Sequence, residues 1–253
     1  MKISCALATY NGAKFIEEQL DSILTQTVPV DELIVSDDSS YDDTLTIIEK
    51  VLSKSHINFS IIRNKEKLGS YRNFENAITY SSGDIVFLSD QDDIWFPNKV
   101  ETHLKYHLDR KDILVVTNNC LISDQNFNTF GNTKLDNLKL LGKSYKSFVM
   151  GCCCSIKKNF LNAALPFPDS FSGHDNWLCE LADYAEKRIF IEDTLQLYRQ
   201  HDSNTSTYLA NNPRGITTFA KINFLLERVY GFFLKNSSHT KEELFFNRMQ
   251  KIK

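Results

Sequence analysis

Apolar residues fall in short runs that alternate with amphipathic stretches through the first half of the chain. Ile3–Ala8 is an apolar run that breaks at Tyr10-Asn11-Gly12, a turn signal. Phe15, Ile16, Leu20, Ile23 and Leu24 follow at helical spacing. Leu33–Val35 predicts a second strand, and Leu45, Ile47, Ile48, Val51 and Leu52 mark a second helix. Ile57–Ile62 predicts a third strand, and Ser70–Tyr80, carrying Phe74, Ala77 and Ile78, a third helix. Strand Ile85–Leu88, helix Pro97–Leu108 with Pro97 in its first turn, and strand Ile113–Thr117 complete the series. Five strands alternating with helices argue for an α/β fold with a parallel sheet wound in right-handed crossovers.

The alternation fails after Thr117. Residues 118–147 are rich in Asn, Ser, Thr, Asp and Lys and predict a loop or irregular hairpin. Phe148–Ile156 reads as a strand, Trp177–Ala185 as a helix, and Arg188–Ile191 and Leu195–Arg199 as two short closing strands. From Pro213 onward two helices are expected, with Phe219, Ile222, Leu225, Leu226, Val229 and Phe233 on one side.

Composition narrows the class. The chain has 253 residues, 42% hydrophobic and 24% charged, ordinary for a soluble protein with a sizeable core. A formal charge of −3 argues against a general polyanion-binding role, so no nucleic-acid partner is expected. Six cysteines include the consecutive Cys152, Cys153 and Cys154 and no Cys-x-x-Cys pair, which favours reduced, buried thiols over a disulfide framework or zinc site. Lys2 to Thr9 does not read as a signal peptide, and no apolar run reaches membrane-spanning length. A cytoplasmic protein is expected.

Three polar stretches would meet beyond the carboxyl ends of the strands: Thr9-Tyr10-Asn11, Asp37-Asp38 and Asp90-Gln-Asp-Asp. Carboxylates gathered at the end of a buried strand repel one another unless a cation sits among them, and their hard oxygens suit Mg2+ or Mn2+. The alternative is an acidic surface turn capping the next helix. No glycine-rich phosphate loop is present, so a metal is the natural means of holding phosphates here.

With these pieces in order, the chain resembles the family 2 glycosyltransferases, inverting enzymes of the GT-A fold that use nucleotide sugars, and within them the rhamnosyltransferase-like enzymes of bacterial surface polysaccharides. The resemblance rests on Leu7-Ala-Thr-Tyr-Asn-Gly, Leu33-Ile-Val-Ser-Asp-Asp-Ser-Ser, Leu68-Gly-Ser-Tyr-Arg-Asn-Phe, Leu88-Ser-Asp-Gln-Asp-Asp-Ile-Trp, Gly173-His-Asp-Asn-Trp and Tyr198-Arg-Gln-His. It implies a mainly parallel, Rossmann-like sheet flanked by helices over residues 1–205, with a nucleotide-sugar half (1–117), an acceptor half (118–205) and a helical extension (206–253).

By that resemblance Thr9, Tyr10, Asp38, Arg72, Asn73, Asp90 and Arg199 face the nucleotide sugar, Tyr10 by stacking and Asp38 by accepting from the base. Asp90, Asp92 and His201 would hold Mn2+ or Mg2+, and Asp93 would bond to the donor sugar or cap a helix. Asp175 would be the catalytic base, taking the acceptor proton as the anomeric carbon inverts. The alternatives are an N-cap role for Asp38 and Asp175, a solvated first turn for Arg72 and Asn73, core packing for Trp95, and a structural role for His201.

The implied reaction is transfer of one sugar from a UDP- or dTDP-activated donor to a glycan or lipid-linked glycan in O-antigen or capsule synthesis. The competing classes are a sugar-nucleotide nucleotidyltransferase and a non-catalytic glycan-binding protein. Residues 213–253 carry eight Lys/Arg against three acids, which invites a peripheral membrane contact at the inner face of the plasma membrane, or an oligomer surface. The alternative is an apolar face packed on the domain itself.

Overall fold

The central strands are buried along their whole length, and their alternate side chains go to opposite, covered faces of one sheet. In the computed structural model, which describes residues 1–171, 173–202, 204 and 238–251, the first half runs β1 (Ile3–Thr9), α1 (Ile16–Leu24), β2 (Glu32–Asp37), α2 (Thr44–Leu52), β3 (Asn58–Arg63), α3 (Ser70–Tyr80), β4 (Ile85–Ser89), β5 (Ile94–Trp95), α4 (Lys99–Asp109) and β6 (Val115–Asp124). It continues with β7 (Thr129–Thr133), α5 (Lys134–Leu140), β8 (Cys154–Lys157), α6 (Lys158–Ala164), α7 (His174–Tyr184), β9 (Arg188–Gln200) and a last described helix, α8 (Ser238–Met249).

Strand order is β3-β2-β1-β4-β8-β6-β9-β5, with β7 paired to β6. β3, β2, β1 and β4 are mutually parallel, β8 is antiparallel to both its neighbours, and β9 runs parallel to β6. The chain leaves β1 toward β2 and returns on its other side as β4. The carboxyl ends of β1 and β4 therefore flank the switch point, where ligands of open α/β sheets bind.

Ile3, Cys5, Leu7, Ile85 and Phe87 pack one face against Ile16, Leu20 and Ile23 of α1 and Ile48 and Leu52 of α2, with Trp95 and Val100 closing that layer. Ala6, Ala8, Val86 and Leu88 point the other way, onto Phe74 and Ile78 of α3, Phe160 of α6 and Trp177 of α7. Burying a side chain of this size is worth about 1.5–3 kcal/mol, so the two layers hold the loops at the strand ends on a rigid base.

Several sequence expectations are corrected. α4 begins at Lys99 with Asn98 at its N-cap, and Pro97 sits in the preceding turn, its carbonyl accepting from Thr27 N at 2.8 Å. The irregular hairpin expected within 118–147 is present, β6 running through residue 117 to Asp124 and pairing with β7 across a register shift, and a capping box of Thr133 and Asp136 adds α5. Of the expected strand Phe148–Ile156 only Cys154–Ile156 pairs, the strand running on to Lys157; Gly151–Cys153 forms a 3-10 turn. α7 starts three residues before the expected Trp177, and the two closing strands are one, β9, irregular against β6 near Asn119.

Of the two expected C-terminal helices, most of the span lies outside the described residues. α8 is docked: Phe245 packs among Phe171, Trp177 and Tyr184. Arg248 donates to the carbonyls of Leu165 at 2.7 Å and Pro166 at 2.9 Å. No helix among the described residues is long and apolar enough to cross a membrane.

Candidate active site

The turn after β4 carries the acids, and Gln91 within it fixes their position. Gln91 Oε1 accepts from Tyr10 N at 2.8 Å, and its Nε2 donates to Tyr10 O at 3.0 Å. The amide lies where a Cβ on Gly12 would stand, 2.2 Å from its oxygen, so residue 12 has to be glycine for the two turns to meet.

Asp92 and His201 come together as the sequence predicts: His201 Nε2 lies 2.8 Å from Asp92 Oδ2, and its ring packs on Phe15 at 4.6 Å. Asp93 is fully buried, accepting from Gln196 Nε2 at 3.0 Å and Arg199 N at 3.3 Å, so its carboxylate serves the interior and does not cap α4. Burial, then the charge of Asp92, pushes Asp93 up to about 7. Asp90 is held well above the ordinary carboxylate range by burial first and then by the charges of Asp92, Asp93 and Asp175.

One donor atom each of Asp90, Asp93 and Cys152 lie within 4.8 Å of one another. The Cys152 thiol lies beside both carboxyls, and its sulfur accepts from Gln196 Nε2 at 3.3 Å. Acids raised by one another's charge at the end of a buried strand are what a divalent cation would relieve, and oxygen and imidazole donors suit Mn2+. Among the described residues Asp90, Asp93 and Cys152 are the group close enough to share an ion, while Asp92 pairs with His201, so the expected set Asp90, Asp92 and His201 does not come within that reach.

Lys99 approaches the same acids from below. Its side chain is fully buried, donating to Cys152 O at 2.6 Å and to Gln196 Oε1, with the ammonium 4.2 Å from the Trp95 ring. Burial lowers its pKa, against the pull of Cys153, Cys152 and Asp93. Trp95 is core, as expected.

The residues expected to face the nucleotide divide into two groups. Thr9 is buried, its hydroxyl donating to Asp37 Oδ1 at 2.9 Å. Tyr10 is part-exposed, with the Lys67 ammonium 3.8 Å above its ring and Tyr41 edge-on at 6.4 Å. Asp38 accepts from Leu68 N at 2.7 Å, Gly69 N at 2.8 Å and Asn64 Nδ2 at 3.1 Å, so it holds the 64–69 loop over the site. It does not cap α2, whose first turn is met by Asp42 accepting from Thr44 N at 3.1 Å.

Asn73 is buried, taking the Ser36 hydroxyl at 2.7 Å and donating to Thr9 O at 3.1 Å, a brace between α3 and the ends of β1 and β2. Arg72 pairs with Glu75 and Asp169 and donates to Phe167 O at 2.9 Å. Arg199 is buried between the rings of Phe15 at 4.6 Å and Phe127 at 4.1 Å and donates to Glu18 at 2.6 Å. These three are engaged by protein groups.

Asp175 is the second residue of α7, two positions past the N-cap Gly173, with Oδ1 accepting from Asn176 N at 2.8 Å. The N-cap alternative therefore falls to Gly173. His174 beside it stacks on Phe74 at 3.9 Å and fills the space over Gly151, where a Cβ would meet its Nε2 at 2.1 Å. Asp175 and Asp90 line one cavity of about 510 Å³, shared with Lys134, Met150, Cys152 and Tyr198. A larger cleft of about 830 Å³ between α1 and α2, lined by Ile23, Val30, Val51 and Ile57, reaches none of these residues.

Sequence reasoning missed Gln91, Cys152, Lys99 and Gln196. For Lys99 the signal was present: Lys99, His103 and His107 recur every fourth residue alongside Val100 and Leu104, which puts polar side chains on the apolar stripe of α4.

Residues 4–163 match the family model described as glycosyl transferase family 2. A dTDP-rhamnosyl transferase, RfbG of Shigella flexneri, is 31% identical over 78% of this chain and 72% of its own length. A UDP-Glc:alpha-D-GlcNAc-diphosphoundecaprenol beta-1,3-glucosyltransferase, WfgD of Escherichia coli, is 33% identical over 42% of this chain and 41% of its own length. Among solved structures, S. aureus TarS 1–349 in complex with UDP-GlcNAc is similar in fold, with a TM-score of 0.65 at 19% identity, covering all of this chain and 82% of TarS 1–349.

Proposed function

The chain belongs to glycosyl transferase family 2, and from that premise we propose that it is an inverting glycosyltransferase that moves one sugar from a UDP- or dTDP-activated donor to a glycan or lipid-linked glycan of a bacterial surface polysaccharide. The observation that carries the reading is the convergence of Asp90, at the end of β4, and Asp175 on one cavity. RfbG and WfgD, by their names, support a dTDP- or UDP-linked donor, and WfgD supports a lipid-linked acceptor.

In this reading the nucleotide lies along the ends of β1 and β2, with its base against Tyr10 and under the loop that Asp38 secures. Asp90, Asp92 and His201 would hold the divalent cation, with Asp93 and Cys152 beside Asp90. When bound, the cation would supply positive charge for the departing nucleoside diphosphate. Asp175 accepts the proton of the attacking acceptor hydroxyl, on the side of the sugar opposite the leaving group, which inverts the anomeric centre. Lys99 and Gln196 keep the acid turn in place from beneath.

Residues 213–253 carry eight Lys/Arg against three acids, a composition suited to contact with an anionic membrane, although α8 turns Phe245 onto the domain. Flotation with anionic vesicles tests this: equal flotation of the full chain and a chain ending at Asn212 rejects the membrane contact.

The donor reading is tested by calorimetric titration of UDP and dTDP, with and without Mn2+, on the wild type and Asp92→Ala. Metal-dependent binding that the substitution removes is expected. Absence of binding by either nucleotide, together with undetectable hydrolysis of UDP- and dTDP-sugars, rejects it.

A further inference from the structure

Among the described residues Tyr41 is the most exposed of the large apolar side chains, at 84%, yet its backbone is firmly held. Its N–H donates to Asn11 Oδ1 at 3.1 Å, and Asn11 N donates in return to Ser40 Oγ at 2.8 Å. Ser40 is anchored in turn, its N–H donating to Asp37 Oδ2 at 2.9 Å and its hydroxyl to Asp37 Oδ1 at 2.5 Å. Asn11 and Ser39 both take the left-handed backbone region, at φ 48° and 63°, which is costly for a residue other than glycine. The turns after β1 and β2 thus interlock through two unfavourable conformations. What they present to solvent is a pair of aromatic rings, and the core does not need the outer one.

The Tyr41 ring stands edge-on to Tyr10, their planes at 81° and their centroids 6.4 Å apart, so the two rings form a corner. The Lys67 ammonium lies 3.8 Å from the centre of the Tyr10 ring, on an exposed side chain that can withdraw to the rim. A flat ring stacked on Tyr10 therefore has an ammonium and an aromatic wall as its flanks. A pyrimidine base carries O2, N3–H and O4 along one edge and the apolar C5 and C6 along the other. Its carbonyl oxygens suit the ammonium, and its apolar edge suits the Tyr41 ring. Asp38 leaves discrimination to these flanks, because its carboxylate already accepts from Leu68 N, Gly69 N and Asn64 Nδ2.

We propose that Tyr41 is a specificity-determining residue of the donor site. Its ring takes the C5 edge of a pyrimidine stacked on Tyr10 and favours the 5-methyl group of thymine over the hydrogen of uracil, so that a dTDP-sugar is the preferred donor. The proposal rests on the glycosyltransferase reading above and chooses between the two nucleotides which that reading leaves open. Apolar contact with the thymine methyl is a general means of telling these bases apart, and burying one such group changes affinity about fourfold.

The test is calorimetric titration of the full chain, with Mn2+, by UDP, 5-methyl-UDP, dUDP and dTDP. The set separates the methyl group from the 2′-hydroxyl, since UDP and dTDP differ in both. Each methylated nucleotide should bind about fourfold more tightly than its unmethylated counterpart, equally in the ribo and deoxy pairs. Tyr41→Ser should abolish the difference within both pairs, and Tyr41→Phe, which retains the ring, should preserve it. The side chain is exposed, so neither substitution disturbs the core.

Equal binding within both pairs by the wild type overturns the proposal and leaves the donor reading in place. A methyl preference that survives Tyr41→Ser also overturns it, whether or not all four affinities fall together, because the methyl is then read elsewhere. A preference lost in Tyr41→Phe as well places the discrimination in the hydroxyl and overturns it too. Binding of none of the four by the wild type rejects the donor reading together with the proposal.

Discussion

Gln91 and Tyr10 are joined in both directions: the side-chain amide of Gln91 accepts from the backbone N–H of Tyr10 and donates to its carbonyl, at 2.8 and 3.0 Å. This pair reproduces, with a side chain, the hydrogen bonding that β1 and β4 exchange along their length, and carries it one step past the end of the sheet. The turn proposed to hold the base and the turn that holds the acids therefore move as one body.

Gly12→Ala should weaken nucleotide binding about tenfold and destabilise the fold by about 1–2 kcal/mol, since its Cβ displaces the Gln91 amide. Gln91→Ala should do much the same. In the Gln91→Ala background the Gly12→Ala change should be nearly neutral. Calorimetry and urea unfolding on the four-member cycle check it, and additive losses would show that the two positions act separately.

Asp175→Asn should lower the transfer rate by about 10²–10⁴-fold with nucleotide affinity unchanged, the signature of a lost general base. Single-turnover transfer and calorimetry on the same preparation separate the two quantities. A parallel fall in nucleotide affinity would place Asp175 on the donor and not on the acceptor hydroxyl.

His103 and His107 are buried beneath the sheet, where Ser155 Oγ lies 2.8 Å from His103 Nδ1 and 2.9 Å from His107 Nε2. Burial, then the charge of Lys157, lowers His107 to about 4, and burial with Lys99 and His107 lowers His103 as well. A histidine whose folded pKa is depressed leaves the unfolded chain binding more protons between the two values. Its contribution is fully present above about pH 6.5 and is lost as pH falls toward 4, about 3 kcal/mol for His107 alone. Urea midpoints at pH 7.5, 5.5 and 4.5 should fall through this window, and His107→Asn should flatten the fall. An unchanged slope in the variant would reject the assignment.

Lys99→Met should cost about 2–4 kcal/mol, because Cys152 O and Gln196 Oε1 lose their donor and Asp93 loses a neighbouring cation. Urea unfolding measures the loss. A change below about 0.5 kcal/mol would mean that the apolar stem, which methionine retains, does all the work.

Much of this architecture was legible because its first half obeys simple periodicities. The buried strands read as short apolar runs, and Phe74, Ala77 and Ile78 give α3 a one-sided stripe. The convergence of Thr9-Tyr10, Asp37-Asp38 and the acid turn follows from strand order alone, and His201 was matched to Asp92 by motif order. What could not be read was set by contacts between distant residues. Asp38 looks like a cap or a base acceptor from its local sequence, but its partners are backbone N–H groups of Leu68 and Gly69, thirty residues on. The stretch Phe148–Ile156 is apolar but for Ser155, so nothing in its pattern tells the 3-10 turn Gly151–Cys153 from the three residues that pair. Lys99 and Lys134 appear as ordinary surface charges until the packing encloses them.

β8 is four residues long and lies antiparallel between β4 and β6. The strand that carries the acid turn thus receives its second neighbour from a segment some seventy positions later in the chain. During synthesis β4 waits with one edge bare, a row of unpaired backbone groups flanked by Val86, Phe87 and Leu88. A fragment ending at residue 117 would contain most of the groups assigned to the nucleotide yet keep that bare edge. We expect it to pair with other copies of itself and precipitate, so the donor-binding half is a unit of chemistry without being a unit of solubility.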